Sequence, residues 1–279
     1  MTDYYDRAAA AFDRAAAAYD REYSANPIMA WLTEDTFARL CRLFPAHSRL
    51  LEIGCGTGAL AARLAEAGRT IVATDISPAM IAQARRRSPA WPAADRLTWL
   101  TVPAGQVGEH VRGPFDGAYS NFGPLNCEPD LPRFGAALAE LLRPGATFMA
   151  SVMNRICAWE IFWELARLRP RQAMRRLGSG WQMARMSAGP AEPATELPVR
   201  FYSPGEFAAA IGPAFRTEQV VGYPFIIPPP YLAARLPHAV ERLAGLERRL
   251  CGLPPFRSLG DHFLIVMRRK PTENPLNCP

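Results

Sequence analysis

Residues 50–60 read LLEIGCGTGAL: a short apolar run broken only by Glu52, then glycines at 54, 56 and 58. Glycine loses more backbone freedom on folding than any other residue. Three at alternate positions therefore mark a turn that needs glycine conformations, or a place where backbone lies against something else. The next residues, ALAARLAEAG, form a helical pattern closed by Gly68. The whole reads as strand, tight turn and helix. In such a unit the glycines let a ligand touch the backbone, and the amides at the helix start attract negative charge.

The unit repeats along the chain. TIVATDI (70–76) predicts a second strand, and SPAMIAQARRR (77–87) a helix with Ser77 as N-cap and Pro78 at its first position. LTWLTV (97–102) and FDGAYSNFG (115–123) predict two more strands, LPRFGAALAELLRPG (131–145) a helix, and ATFMASVM (146–153) a fifth strand. After a break, YSPGEFAAAIG (202–212) carries a capping box of Ser203 and Glu206, FRTEQVVGY (215–223) is a sixth strand, and a helix near 232–251 leads to a last strand, DHFLIVMRR. The prolines of YPFIIPPPYL exclude a central strand there. Strands alternating with helices imply an α/β fold with a doubly wound, mostly parallel sheet of seven strands. Asp75, at the end of the second strand, stands where a pair of ribose hydroxyls is bound in such folds. The ligand expected is a nucleoside carrying a negative group.

Composition narrows the function classes. The 279 residues carry a formal charge of +6, with Lys270 the only lysine. The charge admits an acidic partner but is also met on ordinary solvated surfaces. No apolar stretch reaches the roughly 18 residues a membrane span needs. The N-terminus lacks the apolar core of a secretory signal. The six cysteines form no C-x-x-C pair and have no histidine cluster beside them, so no metal site and a reducing, cytoplasmic setting are expected. Residues 6–21, DRAAAAFDRAAAAYDR, form a seven-residue near-repeat of strong helix formers. The repeat puts Tyr5, Phe12 and Tyr19 on one face of a single expected helix, with a second helix at about 30–44.

LLEIGCGTG together with VATDISPAMIAQAR resembles the first two signature motifs of class I S-adenosylmethionine-dependent methyltransferases, most closely over residues 48–88. The resemblance implies a Rossmann-like fold and S-adenosyl-L-methionine as cofactor, with S-adenosyl-L-homocysteine as product. It implies that Gly54, Cys55, Gly56 and Gly58 line the methionine end, that Glu52 fixes the loop, and that Asp75 holds the ribose. Ile76 and Met80 would lie against adenine, and Ser120 and Asn121 beside the reactive methyl. Tyr19 would belong to an N-terminal lid like that of small-molecule members. The family often carries an acid after the third strand that meets the adenine amino group. Here that stretch is VPAGQVGE, with Ala104 and Gly105 in its place, leaving Gln106 or a backbone group.

Methyl transfer from a sulfonium is an in-line displacement that alignment promotes, and a base is needed only for a protonated acceptor. His47 and His110 precede strands and fall on the wrong edge of the sheet. His262 opens a last strand that runs antiparallel in the resembled family, which puts it near the active edge. His262, Asn126 and Tyr202 are the catalytic candidates, with Glu128 a further base. Trp159, Phe162 and Trp163 share a helical face suited to an apolar substrate. The Arg-rich run after them could meet an anionic substrate, a carrier-bound intermediate or a lipid surface.

The expected organisation is a helical lid (1–45), a cofactor-binding core (46–154), a cap (155–200), the completion of the core (201–270) and a tail (271–279). The expected function is methylation of a small biosynthetic intermediate on oxygen. The alternatives are N- or C-methylation, a nucleic-acid methyltransferase, and a non-methylating binder of the same cofactor.

Overall fold

The computed structural model describes residues 2–178, 180–186, 195–230, 232 and 238–271. The strands β1 (Arg49–Ile53), β2 (Thr70–Asp75), β3 (Leu97–Thr101), β4 (Phe115–Ser120), β5 (Leu142–Met153), β8 (Phe215–Tyr223) and β9 (His262–Arg269) form one sheet in the order β3-β2-β1-β4-β5-β9-β8. The first five are parallel, and β9 is inserted antiparallel between β5 and β8. The order reverses between β1 and β4, and in open α/β sheets ligands bind at the carboxyl ends of strands flanking such a reversal.

Period-two alternation along the strands builds a core on each face. In β9, Phe263, Ile265 and Met267 join the core under α6 (Val107–His110), α7 (Leu131–Leu141) and α10 (Pro204–Ile211), while Leu264 and Val266 join the other. That second core lies under α3 (Pro27–Leu43), α4 (Ala59–Glu66) and α5 (Pro78–Arg87). Ser77 caps α5 by accepting from the Met80 amide at 3.1 Å, and Ser203 with Glu206 closes the capping box of α10. The last helix, α11 (Ala239–Leu250), starts later than the expected residue 232; most residues between lie outside the described set.

The N-terminal repeat is not one helix. It divides into α1 (Thr2–Ala15) and α2 (Tyr19–Ala25), with a turn over residues 16–18. Tertiary contacts override the alanine propensity here. The Asp13 carboxylate accepts from the Ser77 hydroxyl at 2.5 Å and the Ala79 amide at 3.0 Å, and Gln83 donates to the Ala16 carbonyl at 2.5 Å. These bonds pin the end of α1 to the start of α5 and turn the chain, so that Tyr19 begins a new helix above the glycine turn.

The cap contains α8 (Ala158–Ala166), α9 (Pro170–Ala173) and a ribbon of two antiparallel strands, β6 (Gln182–Met186) and β7 (Thr195–Val199). β7 comes from the expected cap, where no strand was expected. Pro198 fits because the ribbon has only two strands, which leaves an edge where a missing amide costs no ladder bond. β7 packs on α1, and the Tyr4 hydroxyl ties the two by donating to the Cys127 carbonyl at 2.7 Å and the Pro198 carbonyl at 3.1 Å. No described helix is long and apolar enough to cross a membrane. The expected tail, apart from Pro271, lies outside the described residues.

Candidate active site

A cavity lies at the carboxyl ends of β1, β2 and β4. Its floor is the glycine turn. Gly54, Gly56 and Gly58 have φ of 72°, 55° and 82°, a region open to glycine at little cost. Each glycine answers a different demand. A Cβ on Gly54 would collide with the Pro124 ring, and one on Gly58 with the Trp99 ring. Gly56 faces the cavity, with Tyr19 Cε1 3.5 Å from the position of its missing Cβ. The turn is fixed from below by the Thr74 carbonyl, which accepts from the amides of Gly54 at 2.8 Å and Cys55 at 2.9 Å.

Asp75 ends β2 and lines the cavity although only 7% of it is exposed. Its Oδ2 accepts from the Gly56 amide at 2.8 Å and its Oδ1 from the Ser77 amide at 2.9 Å. A carboxylate has about four acceptor sites, so capacity for further donors remains. Burial pushes its pKa up to about 6, against the Ser77 and Gly56 amides, which favour the charged form. The carboxylate is thus held by the same loop that shapes the floor.

Four buried polar atoms at the ends of β1 and β4 find no hydrogen-bond partner among the described residues: Glu52 Oε2, Tyr119 Oη, Ser120 Oγ and Asn121 Oδ1, of which only Asn121 belongs to a residue that lines the cavity. Buried polar atoms normally have partners, so the unpartnered Asn121 oxygen in the cavity lining fits a polar ligand. Met80, Ile76 and Val102 supply an apolar wall. Spare acceptors on Asp75 for a sugar, an unpaired Asn121 oxygen for an amino-acid end and an apolar slot together fit S-adenosylmethionine.

The structure divides the residues expected to bind cofactor. Tyr19, Gly54, Gly56, Asp75, Ile76, Met80 and Asn121 line the cavity. Glu52, Cys55, Gly58 and Ser120 lie behind them, in or next to its wall. Burial lifts the Glu52 pKa to about 8, opposed by the Tyr119 hydroxyl and reinforced by the Asp75 charge. Between the ordinary carboxylate range and that value the native chain binds more protons than the unfolded one. Its stability therefore falls as pH rises through this window and levels off above it. We expect thermal midpoints of the ligand-free protein to decline from about pH 5 to pH 8, and the decline to be smaller in Glu52→Gln. Melting curves across that range test it; equal slopes for the two proteins would show that Glu52 is not the group concerned.

Other expected site residues stand elsewhere. Asn126 is a structural tie: its Nδ2 donates to the carbonyls of Met153 at 3.1 Å and Arg200 at 2.7 Å, and its Oδ1 accepts from the Met153 amide at 2.8 Å. Both amide protons and one of the oxygen's two acceptor sites are thus taken by backbone, and Asn126 does not line the cavity. Tyr202 is buried in the core, edge-on to Phe207, and does not line the cavity. The aromatic face of α8 points away from it too. Trp159 donates to the Ile226 carbonyl at 3.1 Å, Phe162 is 67% exposed, and neither they nor Trp163 reach the cavity. The outer wall is made instead by Phe12 of α1, Phe122, Met153, and Leu197 and Val199 of β7. The alternation of Leu197 and Val199 about Pro198 was the only sequence signal for the latter pair.

Gln106 does not line the cavity, but Glu128 does. Its Oε2 accepts from the Gly105 amide at 2.8 Å, and its Oε1 from the Tyr5 hydroxyl at 2.8 Å and the Asp130 amide at 2.9 Å. A carboxylate thus comes to the loop after β3 from the far side of β4, where no reading of adjacent residues would find it. Burial raises its pKa, against the Asp130 amide, the Tyr5 hydroxyl and the Gly105 amide.

His262 stands at the end of a polar chain next to the cavity lining. Its Nδ1 is 3.0 Å from Asp261 Oδ2, while Asp261 Oδ1 accepts from Arg176 Nη2 at 2.7 Å. Arg176, buried, also pairs with Glu160 at 2.6 Å. Burial alone would raise the Asp261 pKa, but Arg176 and His262 hold it well below the usual carboxylate range. An ionised Asp261 selects the tautomer with hydrogen on Nδ1, which leaves Nε2 as an acceptor. His262 itself does not line the cavity: Nε2 lies 3.7 Å from the Cβ position of Gly123, which does.

Comparison with known proteins agrees with this geometry. Residues 50–145 match the family model described as a methyltransferase domain. A ubiquinone biosynthesis O-methyltransferase of Xanthomonas axonopodis pv. citri is 31% identical over 114 residues, which is 41% of this chain and 46% of the relative. A malonyl-[acyl-carrier protein] O-methyltransferase of Pectobacterium atrosepticum is 37% identical over 109 residues, 38% of this chain and 40% of the relative. The matched part is thus less than half the length of either. Among solved structures, the CcbJ methyltransferase from Streptomyces caelestis superposes with a TM-score of 0.56 at 14% identity, covering 85% of this chain and 89% of that one. The glycopeptide N-methyltransferase MtfA, complexed with sinefungin, gives 0.54 at 14% identity, covering 86% and 87%. These likenesses show the fold. Residues 50–145 thus match a methyltransferase domain, on a sheet with the fold of these structures.

Proposed function

We propose, from the methyltransferase domain that residues 50–145 form, that this chain transfers a methyl group from S-adenosylmethionine to a hydroxyl oxygen of a small, largely apolar molecule. The observation that carries the proposal is the Asp75 carboxylate, bonded to the Gly56 amide at the floor of a cavity whose outer wall is apolar. Bound there, S-adenosylmethionine supplies an electrophilic methyl on its sulfonium sulfur. Asp75 accepts from the ribose hydroxyls, and Ile76 and Met80 pack on the base. Asn121 and the Gly54–Gly56 turn receive the amino-acid end. Phe12, Phe122, Leu197 and Val199 exclude water and hold an apolar acceptor, while His262 Nε2 takes its proton.

Oxygen is favoured because the two relatives described above are O-methyltransferases by name; a hydroxyl acceptor must lose its proton, which His262 would take. The wall of α1 and β7 favours a small acceptor over a nucleic acid strand. The carrier-linked substrate named for one relative is compatible with the opening but is not required by the wall. The five cysteines among the described residues are free, which suits a reducing, cytoplasmic setting. Incubation with methyl-labelled S-adenosylmethionine and fractionated extract, followed by mass identification, tests the reading. It predicts S-adenosylhomocysteine and one labelled O-methyl product. Binding without turnover would return the chain to a non-methylating binder.

Within this reading Glu128 supplies the acid that the loop after β3 lacks, accepting from the adenine amino group with its remaining acceptor capacity. Glu128→Gln should lower the preference for S-adenosylhomocysteine over S-inosylhomocysteine by about tenfold, the scale of one hydrogen bond to a charged group. Competitive binding of the two nucleosides measures it, and an unchanged ratio would remove Glu128 from the adenine contact.

A further inference from the structure

The cap presents a surface that the cavity does not use. Phe162 and Leu165 are three residues apart on α8 and so neighbour each other on its outer side. They are 67% and 48% exposed, and beyond the helix Leu168 is 89% and Met174 53% exposed. Leu168 has φ 58°, a conformation that a branched side chain adopts at a cost. The turn is nevertheless closed by the Leu168 amide on the Leu165 carbonyl and the Arg169 amide on the Glu164 carbonyl, both at 2.9 Å. The effect is to hold a leucine out at the tip of a loop.

Arg167, Arg169 and Arg171 surround that tip. All three are exposed, and none has an ion-pair partner among the described residues. The acids of this segment are turned inward: Glu160 is buried against Arg175 and Arg176, and Glu164 Oε2 is buried. Apolar side chains projecting from a convex tip, with unpaired arginines around their base, suit an interface with hydrocarbon beneath and anionic headgroups beside it. An acidic protein would meet the arginines, but a projecting tip offers it no groove and leaves Leu168 and Phe162 without a pocket.

We propose that the segment from α8 through α9 is a peripheral membrane-binding element that inserts Phe162, Leu165 and Leu168 into the interface of an anionic bilayer while Arg167, Arg169 and Arg171 pair with lipid phosphates. The proposal is independent of the methyl-transfer reading. Co-sedimentation of the full chain with vesicles of phosphatidylcholine alone, or mixed with phosphatidylglycerol, tests it. Partition onto the mixed vesicles should exceed that onto the neutral ones by at least about tenfold and fall with added salt. Leu168→Asp, and separately the triple replacement of Arg167, Arg169 and Arg171 by Ser, should each reduce it by about tenfold with unchanged melting temperature. Equal partition onto both vesicles, indifference to both variants, or saturable binding to an acidic acyl carrier protein with none to vesicles would each overturn it.

Discussion

Asp75→Ala weakens binding of S-adenosylhomocysteine by about a hundredfold or more, since two hydrogen bonds to a charged acceptor are lost at about 1.5–3 kcal/mol each. Part of that loss is offset. Asp75 is buried with its pKa pushed up to about 6, so removing it also removes a desolvated charge. The variant also frees the Gly56 and Ser77 amides, which loosens the turn. Asp75→Asn separates these effects, because its amide oxygen keeps one acceptor for the backbone or the ribose; an intermediate loss of about tenfold is expected. Titration calorimetry, with melting curves to confirm that each variant is folded, reads both. A dissociation constant within experimental error of the parent for Asp75→Ala would remove the ribose assignment.

His262→Ala lowers kcat by about a hundredfold or more while cofactor affinity is unchanged, the range for loss of a positioned general base. The effect depends on the acceptor. At a pH above the acceptor's own pKa the hydroxyl arrives already ionised, and the variant should then approach the parent rate. A residue that only supported the fold would not show that recovery. A fall in kcat that persists unchanged at high pH, or no fall at all, would show that His262 takes no proton. Asp261 is a poorer probe, since its removal strands Arg176, a buried cation held by Asp261 and Glu160.

The legible part of the molecule was that governed by local chemistry. The glycine turn, the acid at the end of β2, the Ser77 cap and the Ser203–Glu206 box are each decided by residues a few positions apart. The seven strands were legible from short apolar runs alternating with helical segments; their order was not read from the sequence. The parts read wrongly were decided by distant partners. Asp13 bends the alanine repeat because Ser77 lies 64 residues on. β7 becomes a strand because β6 and α1 accept it, in spite of Pro198. Trp159, Phe162 and Trp163 do share a helix, but periodicity says which residues share a face and not what that face meets. Asn126 sits in the expected loop, yet its amide is taken by Met153 and Arg200, and the latter is 74 residues away. Glu128 reaches the loop after β3 across the fold, 23 residues from Gly105, so a search of that loop alone finds only alanine and glycine.

The account rests on the glycine turn and Asp75 receiving a nucleoside with an amino-acid arm. Calorimetric titration of the folded, full-length chain with S-adenosylhomocysteine measures this most directly. The account predicts one binding event of about micromolar affinity, the usual scale for enzyme ligands, with a rise in melting temperature under saturation. No heat of binding and no thermal shift, on protein with an intact cooperative melt, would contradict it.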